Sequence, residues 1–206
     1  MIVPDLTDNG LSSYVQSSEL DYRIKINGTK YIVSNGVLLQ LDAESTKGYG
    51  AVADDANFIS IGSPLLPIVS ATKASILIRP DTSPHWYLLL GGTMYYLPTT
   101  DLLPLWGIAK ETTAQVVESS ILSNIPTGQT LGRFVYTPDT DSYYLLDGTK
   151  RKISSSMNIT WNSQGQANLL TLNSDSLLLS EGDAIDSPIF SVINTPHLYT
   201  ILDGTS

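Results

Sequence analysis

Short apolar runs recur along the chain, and turn-forming residues bound most of them. The runs at 75–79, 133–136 and 189–193 are rich in β-branched and aromatic residues, and a proline turn follows each one. Proline cannot extend a strand ladder, so we expect strands that end there. Residues 42–57 have no clear period and are predicted to form a surface loop, while residues 112–122 are the best helical candidate. The pattern therefore predicts an all-β, or mainly β, fold.

One hairpin pattern occurs four times, at residues 22–33, 86–97, 143–153 and 198–206. Each copy has an apolar run and then a two-residue turn that ends in glycine and is followed by threonine. The turn pairs are Asn27-Gly28, Gly91-Gly92, Asp147-Gly148 and Asp203-Gly204. All four tolerate the positive φ that a type I′ hairpin turn requires at both central positions. Four such turns in one chain predict a tandem repeat of β-hairpins.

The spacing of the turns gives the length of the repeat. The turn glycines lie at 28, 92, 148 and 204, so the steps are 64, 56 and 56 residues, and the unit is about 56 residues long. Asn35-Gly36 offers a second turn inside the longer first unit. We expect a single repeat-built domain over residues 1–206. A closed propeller-like ring and a barrel or sandwich of hairpins are both compatible with this pattern.

The last copy stops after its turn, and the first residues of the chain match the strand that would follow. Ile2-Val3 and Pro4 correspond to the apolar pair and the proline after the second turn. We therefore expect residues 1–6 to pair with residues 198–202 and complete the last hairpin. The pairing would remove two exposed strand edges, within one chain or between neighbouring subunits.

Composition and charge exclude several classes of function. The chain has 206 residues, a net charge of −9 and 15% charged residues, which is unfavourable for binding nucleic acid or an anionic membrane. It has no cysteine, so disulfides, thiol catalysis and thiolate zinc sites are excluded. The first residues lack the basic start and apolar core of a signal peptide, and no apolar run has membrane-spanning length.

Candidate catalytic chemistry is sparse. His85 and His197 each lie seven residues before a turn glycine, where the other copies have Asp21 and Asp141. Metal binding through these side chains is one alternative, and exposed polar residues at the start of a hairpin are the other, which we favour. No G-x-S-x-G elbow and no phosphate-binding glycine loop occur. We therefore predict no metal, no cofactor and no enzymatic activity.

Aromatic side chains concentrate on the hairpins. Neighbouring residues of a strand point to opposite faces, so some of these rings are expected to face outward. Outward aromatics on a Ser/Thr-rich surface suit protein partners or sugar stacking. The alternative is that they form cross-strand pairs that stabilise the hairpins. The candidates for partner or glycan contact are Tyr22, Trp86, Tyr87, Tyr143 and Tyr199.

The hairpin at residues 143–154 (YYLLDGTKRKIS) resembles short β-repeats of bacterial surface proteins and bacteriophage virion proteins, of the type Tyr-Leu-x-x-Gly-x-Lys/Arg-Lys/Arg-x-Ile. The other copies depart from this pattern, because Met94-Tyr95 replaces the basic pair in the second copy and Lys30-Tyr31 stands in the first. The resemblance implies a non-enzymatic surface or virion module. It carries no catalytic residue to this chain.

These observations together predict a structural component of a bacteriophage virion, in the tail, baseplate, fibre or capsid decoration. Its partners would be other virion proteins or copies of itself, and it would be located in the particle after synthesis in the host cytoplasm. The alternative is a carbohydrate-binding adhesin or receptor-binding module at an extracellular surface, which would bind a host glycan through the hairpin aromatics.

Overall fold

The computed structural model describes residues 23–61, 71–154, 169–187, 189–191 and 198–200. The protein is mainly β, with three mixed sheets and little helix, so the predicted fold class is confirmed. The predicted pairing of residues 1–6 lies outside the described residues, as do Tyr22, His197 and the turn pair Asp203-Gly204.

The first sheet is built on a three-stranded antiparallel meander. Its strands are β1 (Arg23–Ile26), β2 (Thr29–Ser34) and β3 (Val37–Gln40), paired in that order. Two later strands flank the meander, β4 (Ile59–Ile61) parallel to β1 and β5 (Ala71–Lys73) parallel to β3. The strand order across the sheet is therefore β4-β1-β2-β3-β5.

The second sheet repeats this plan. The meander is β6 (Leu77–Pro80), β7 (Trp86–Leu90) and β8 (Thr93–Leu97). The flanking strands are β9 (Gln115–Val117), parallel to β6, and β10 (Thr127–Thr130), next to β8. The order is β10-β8-β7-β6-β9.

The third sheet follows the same plan with one flank reduced to two bridges. Its meander is β11 (Phe134–Thr137), β12 (Ser142–Leu146) and β13 (Lys150–Lys152), and β14 (Leu169–Thr171) is parallel to β11. Parallel bridges on the other side of the meander join Lys150 to Glu181 and Ile153 to Ile185. A fourth, two-stranded sheet pairs β15 (Ile189–Ser191) with β16 (Leu198–Thr200) in antiparallel fashion.

We call each meander with its two flanks a module, and the modules correct the register of the predicted repeat. The turn that joins the second and third strands of the meander contains Gly36, Gly92 and Gly148 in the three modules. These glycines, with Gly204, are spaced by 56 residues throughout. The predicted step of 64 was wrong, because Gly28 lies in the turn between the first and second strands, β1 and β2. Each sheet is open, and the arrangement of the modules as a ring, barrel or sandwich stays a prediction.

Helices connect the strands, and two predictions about them were wrong. Residues 42–57 are not an irregular loop: α1 (Ala43–Tyr49) begins at Asp42 with a capping box, and 3-10 turns follow at Gly50–Ala53 and Asp55–Asn57. Tyr49 is fully buried, which anchors a helix too short to be stable alone. Residues 112–122 contain the strand β9 and only one helical turn, α2 (Ser119–Leu122), because the Val116-Val117 pair favours strand.

Two further 3-10 helices complete the described elements. One is Thr100–Trp106, which ends at Gly107 in the left-handed region, and the other is Ser174–Ser176. Trp106 is buried and donates a hydrogen bond from Nε1 to the carbonyl oxygen of Gly132 at 3.2 Å.

Both faces of the first sheet are buried, which follows from the alternation along β2. Tyr31 and Val33 face a small cluster with Ile24, Ile26 and Leu38. Ile32 points the other way, into a second core cluster, called here the α1 cluster, which also contains residues of α1, β6, β7, β9 and α2. That cluster therefore ties the first module to part of the second.

A separate cluster holds the third sheet. Leu145 of β12 packs with Ile153 and Ile185, each at most 2% exposed. Partly buried side chains that pack against it include Leu105 and Phe134.

Contacts divide the chain into two compact units. One consists of Met1–Met94 with Ala114–Thr127, and the other of Tyr95–Thr113 with Gly128–Ser206. That residues 1–206 form a single domain stays a prediction.

Candidate functional site

Two of the predicted turn pairs have the backbone that a type I′ turn requires. Asn27 and Gly28 have φ of 49° and 84°, and Gly91 and Gly92 have φ of 56° and 76°. Asp147-Gly148 was predicted to form a two-residue type I′ turn. That prediction was wrong, because three residues, 147–149, join β12 and β13. There Asp147 is buried, its Oδ1 accepts a hydrogen bond from the Thr149 hydroxyl at 2.9 Å, and its Oδ2 lies 3.4 Å from Arg151.

Two of the turn glycines form a main-chain hydrogen bond to the last turn of a helix that precedes them in the sequence. The Gly92 N–H donates to the carbonyl oxygen of Gly48 at 3.1 Å, and the Gly148 N–H donates to that of Leu105 at 3.0 Å. A Cβ on Gly50 would lie 2.3 Å from the Cα of Gly92, so neither position accommodates a side chain without movement. These glycines therefore have a packing role as well as a turn role.

The predicted aromatic contacts are mostly engaged within the fold. Tyr87 is half-buried and packs against the α1 cluster. Tyr143 is half-buried and lies against Tyr136, with ring centroids 4.6 Å apart, which is the cross-strand pairing expected between β11 and β12. Trp86 is half-buried at the start of β7. Tyr199 lies in β16.

A groove with an apolar floor is the strongest candidate for an interaction site in the described residues. It has a volume of about 340 Å³ and is formed by Ser34, Asn35, Val37, Leu39, Thr72, Asp81, Gln115 and Val116. Val37 is 42% exposed and Val116 is 40% exposed, and they are two of the four exposed large apolar side chains among the described residues. Both therefore present apolar surface to the groove.

Strand edges form the two walls of this groove. β5 is an edge strand of the first sheet and β9 is an edge strand of the second. The Asp81 N–H donates to the Val117 carbonyl, so by the alternation of a parallel ladder the N–H and C=O of Val116 point away from β6. On the other wall, the Ala74 N–H donates to the Gln40 carbonyl, so the main-chain groups of Lys73 point away from β3.

Gln115 bridges the two walls at one end of the groove. Its Oε1 accepts from the Ser75 N–H at 2.9 Å, and its Nε2 donates to the Lys73 carbonyl at 3.1 Å. The side-chain amide thus takes the place that a strand residue would occupy between the two edges. The bridge fixes the width of the groove at that end.

Carboxylates lie at the other end. Asp81 Oδ1 accepts from the hydroxyl of Ser119 at 2.6 Å and from its N–H at 3.0 Å. These two bonds hold the pKa of Asp81 below its usual value, so it is ionised at neutral pH. Glu118 Oε1 accepts from the Asn35 N–H at 2.6 Å, while its own N–H donates to the Ser34 hydroxyl at 2.9 Å. The rim at this end is therefore anionic.

Related contacts recur within the second compact unit. Gln129 and Thr171, which lie 56 residues after Lys73 and Gln115, are joined by a hydrogen bond from the Thr171 N–H to Gln129 Oε1 at 3.3 Å. The glutamine here lies on β10 and bonds β14, whereas Gln115 lies on β9 and bonds β5 and the segment that follows it. Asp139 accepts hydrogen bonds from the hydroxyl and N–H of Ser174, as Asp81 does from Ser119, and its pKa is also lowered. These bridges accordingly belong to the module plan.

The groove residues were not identified from the sequence as a site. Val116 lies within residues 112–122, which were predicted to be helical. No local signal marks them, because the groove arises from strands that are far apart in the chain. The metal alternative gains no geometric support: Asp141 accepts from the Tyr136 hydroxyl at 3.1 Å, and no group of three potential ligands occurs within the ranges that the structure describes. No helix in those ranges is long and apolar enough to cross a membrane.

Comparisons with known proteins give little further guidance. No protein-family model matches the chain, and no curated protein matches it significantly. A chain of the periplasmic assembly from the ESX-5 inner membrane complex is similar over 83% of this chain, with 13% sequence identity and a TM-score of 0.25. This chain covers 61% of that one, and a similarity at this level identifies neither a family nor a function.

Proposed function

We propose that the protein is a non-enzymatic structural component of a bacteriophage virion, which acts through protein–protein contacts in the tail, baseplate, fibre or capsid decoration. The recurrent module is the observation that carries this proposal. A scaffold repeated at 56 residues, in which Gly92 and Gly148 each hydrogen-bond a preceding helix, suits a protein whose task is to present surfaces at fixed positions.

Two features of the described surface support a role in assembly. Val37 and Val116 present apolar area in a groove, and concave, mostly apolar surfaces are typical of binding sites. The Gln115 side chain hydrogen-bonds Ser75 and Lys73 across the groove, so the two strand edges are already joined before a partner binds. A preformed surface loses little conformational entropy on binding.

The test is whether the chain is part of the particle. Antibody raised against the purified protein should label intact particles by immunogold electron microscopy, and the protein should sediment with particles after lysis. Recovery in the particle-free supernatant, with no label on particles, would contradict the proposal. The solution mass by light scattering gives an independent measure of self-association.

The alternative proposal is a glycan-binding module. Trp86 favours it in part, because it is only partly buried on β7 and a partly exposed ring is suited to stacking on a sugar. A glycan array with the protein and with Trp86→Ala tests this alternative. Binding to a defined glycan that is lost in Trp86→Ala would favour it over the virion proposal.

A further inference from the structure

We propose that the groove between β5 and β9 binds an extended segment of a partner protein as an added β-strand, and that the segment carries branched aliphatic side chains with basic neighbours. This inference deepens the proposed function and rests on its assignment of a protein-binding role. It names the binding surface, the conformation of the partner and the side chains that the surface selects.

The main-chain groups of the groove favour a strand as the occupant. The N–H and C=O of Val116 point outward from an edge strand, and no strand of the described residues pairs with that side of β9. The main-chain groups of Lys73 face outward from β5, where its carbonyl already accepts from Gln115. An extended segment that enters the groove can satisfy the Val116 groups with two main-chain hydrogen bonds.

The floor determines which side chains are preferred. Val37 and Val116 are partly exposed, and Leu39, 3% exposed, lies beneath them. A segment in the extended conformation places alternate side chains on one face, so every second residue would contact this floor. Aliphatic side chains bury the exposed valine surface, and the described lining contains no aromatic ring on which a sugar could stack.

The negative charge at the rim of the groove favours a partner segment with basic side chains. Asp81 and Glu118 lie at one end, and both carboxylates are oriented by hydrogen bonds. Lys73, beside the groove, is already paired with Asp42 at 2.8 Å. The net charge of the chain is −9, so a lysine or arginine next to the aliphatic residue is attracted and an acidic segment is repelled.

The test uses a synthetic heptapeptide of sequence lysine, threonine, isoleucine, threonine, isoleucine, threonine, lysine. Titration into the ¹⁵N-labelled full chain should shift the Val116 amide and its neighbours and saturate. Methylation of the three central peptide nitrogens removes main-chain donors, and it should weaken binding by about tenfold or more, which is ~1.4 kcal/mol or more. Replacing both lysines by aspartates should weaken binding to a similar degree.

Protein variants locate the site. Val116→Asp should lower the affinity at least as much as peptide methylation does. Ile59→Asp is the matched control, because Ile59 is 45% exposed on the edge strand β4 and does not line the groove. That variant should bind as the parent protein does, and circular dichroism and melting should show both variants to be folded.

Three results would overturn the inference: no saturable shift at millimolar peptide, equal binding of the methylated peptide, or equal weakening by Ile59→Asp. The outcome is separable from that of the particle test. If the antibody labels particles but the protein fails to bind the peptide, this inference alone is refuted. If the protein binds the peptide but is absent from particles, the virion assignment alone is refuted.

Discussion

The close approach of Gly50 and Gly92 predicts that equivalent turn glycines differ in their tolerance of alanine. Gly36 and Gly92 occupy the same position in the first and second modules, with φ of 74° and 76°. A Cβ on Gly36 would meet nothing within 4 Å, whereas one on Gly92 would lie 3.0 Å from the Cα of Gly50. Gly36→Ala is therefore a matched control for Gly92→Ala.

The magnitudes follow from the two costs. Placing an L-residue in the left-handed region costs roughly 1–2 kcal/mol, and this cost applies to both variants. Gly92→Ala also forces two backbones apart, and overpacking of this kind typically costs about 1–3 kcal/mol more. The same displacement weakens the hydrogen bond from Gly92 to the Gly48 carbonyl. The expected free energy of unfolding is thus lower for Gly92→Ala than for Gly36→Ala by about 1–3 kcal/mol.

Equilibrium urea unfolding followed by tryptophan fluorescence and circular dichroism measures this difference. The chain has no cysteine, so thiol oxidation does not disturb the comparison. Equal loss of stability in the two variants would refute the reasoning, since it would show that the turn conformation alone constrains Gly92. A Gly92→Ala protein as stable as the parent would refute both the turn and the contact.

Three other predictions concern buried and charged groups. Lys25 and Lys30 hydrogen-bond Asp55 at 2.8 and 2.7 Å and lower its pKa to about 2. Its stabilising effect is therefore present above pH ~4 and is lost as the pH falls through ~2. Asp55→Asn should lower the melting temperature at pH 7, and its difference from the parent protein should be much smaller at pH 2. The Tyr49 hydroxyl is buried without a hydrogen-bond partner in the described residues, and burial raises its pKa. Because a buried unpaired hydroxyl is costly, Tyr49→Phe should leave the free energy of unfolding unchanged or raise it by up to ~1 kcal/mol. Tyr49→Ala should lower the free energy of unfolding in urea by ~3–5 kcal/mol. Asp139→Asn should lower the melting temperature at pH 7, and the difference from the parent protein should shrink in acid, because Ser174 keeps the pKa of Asp139 low; a difference that does not change with pH would contradict this.

The β class and the turn positions could be predicted from the sequence, and the register of the first module could not. Asn27-Gly28-Thr29 has the same turn signature as the later copies, although it joins a different pair of strands. A turn motif is local and does not specify which strands of a meander it connects. Tyr31, five residues before Gly36 as Tyr87 is before Gly92, was the signal that could have corrected the register.

The helix α1 and the groove were missed for a related reason. α1 depends on the burial of Tyr49 in the α1 cluster and on the contact of its last turn with Gly92. Both are tertiary contacts that leave no periodic pattern in seven residues. The two walls of the groove are β5 and β9, which are separated by about 40 residues of chain. A pattern in the local sequence therefore does not show that they lie side by side.

The most direct test of the repeated module is detection of its two equivalent hydrogen bonds by NMR. The account predicts through-bond scalar couplings from the Gly92 nitrogen to the Gly48 carbonyl carbon and from the Gly148 nitrogen to the Leu105 carbonyl carbon, with slow hydrogen exchange at both amides. Absence of both couplings, with exchange at Gly92 and Gly148 as fast as in an unstructured chain, would contradict it.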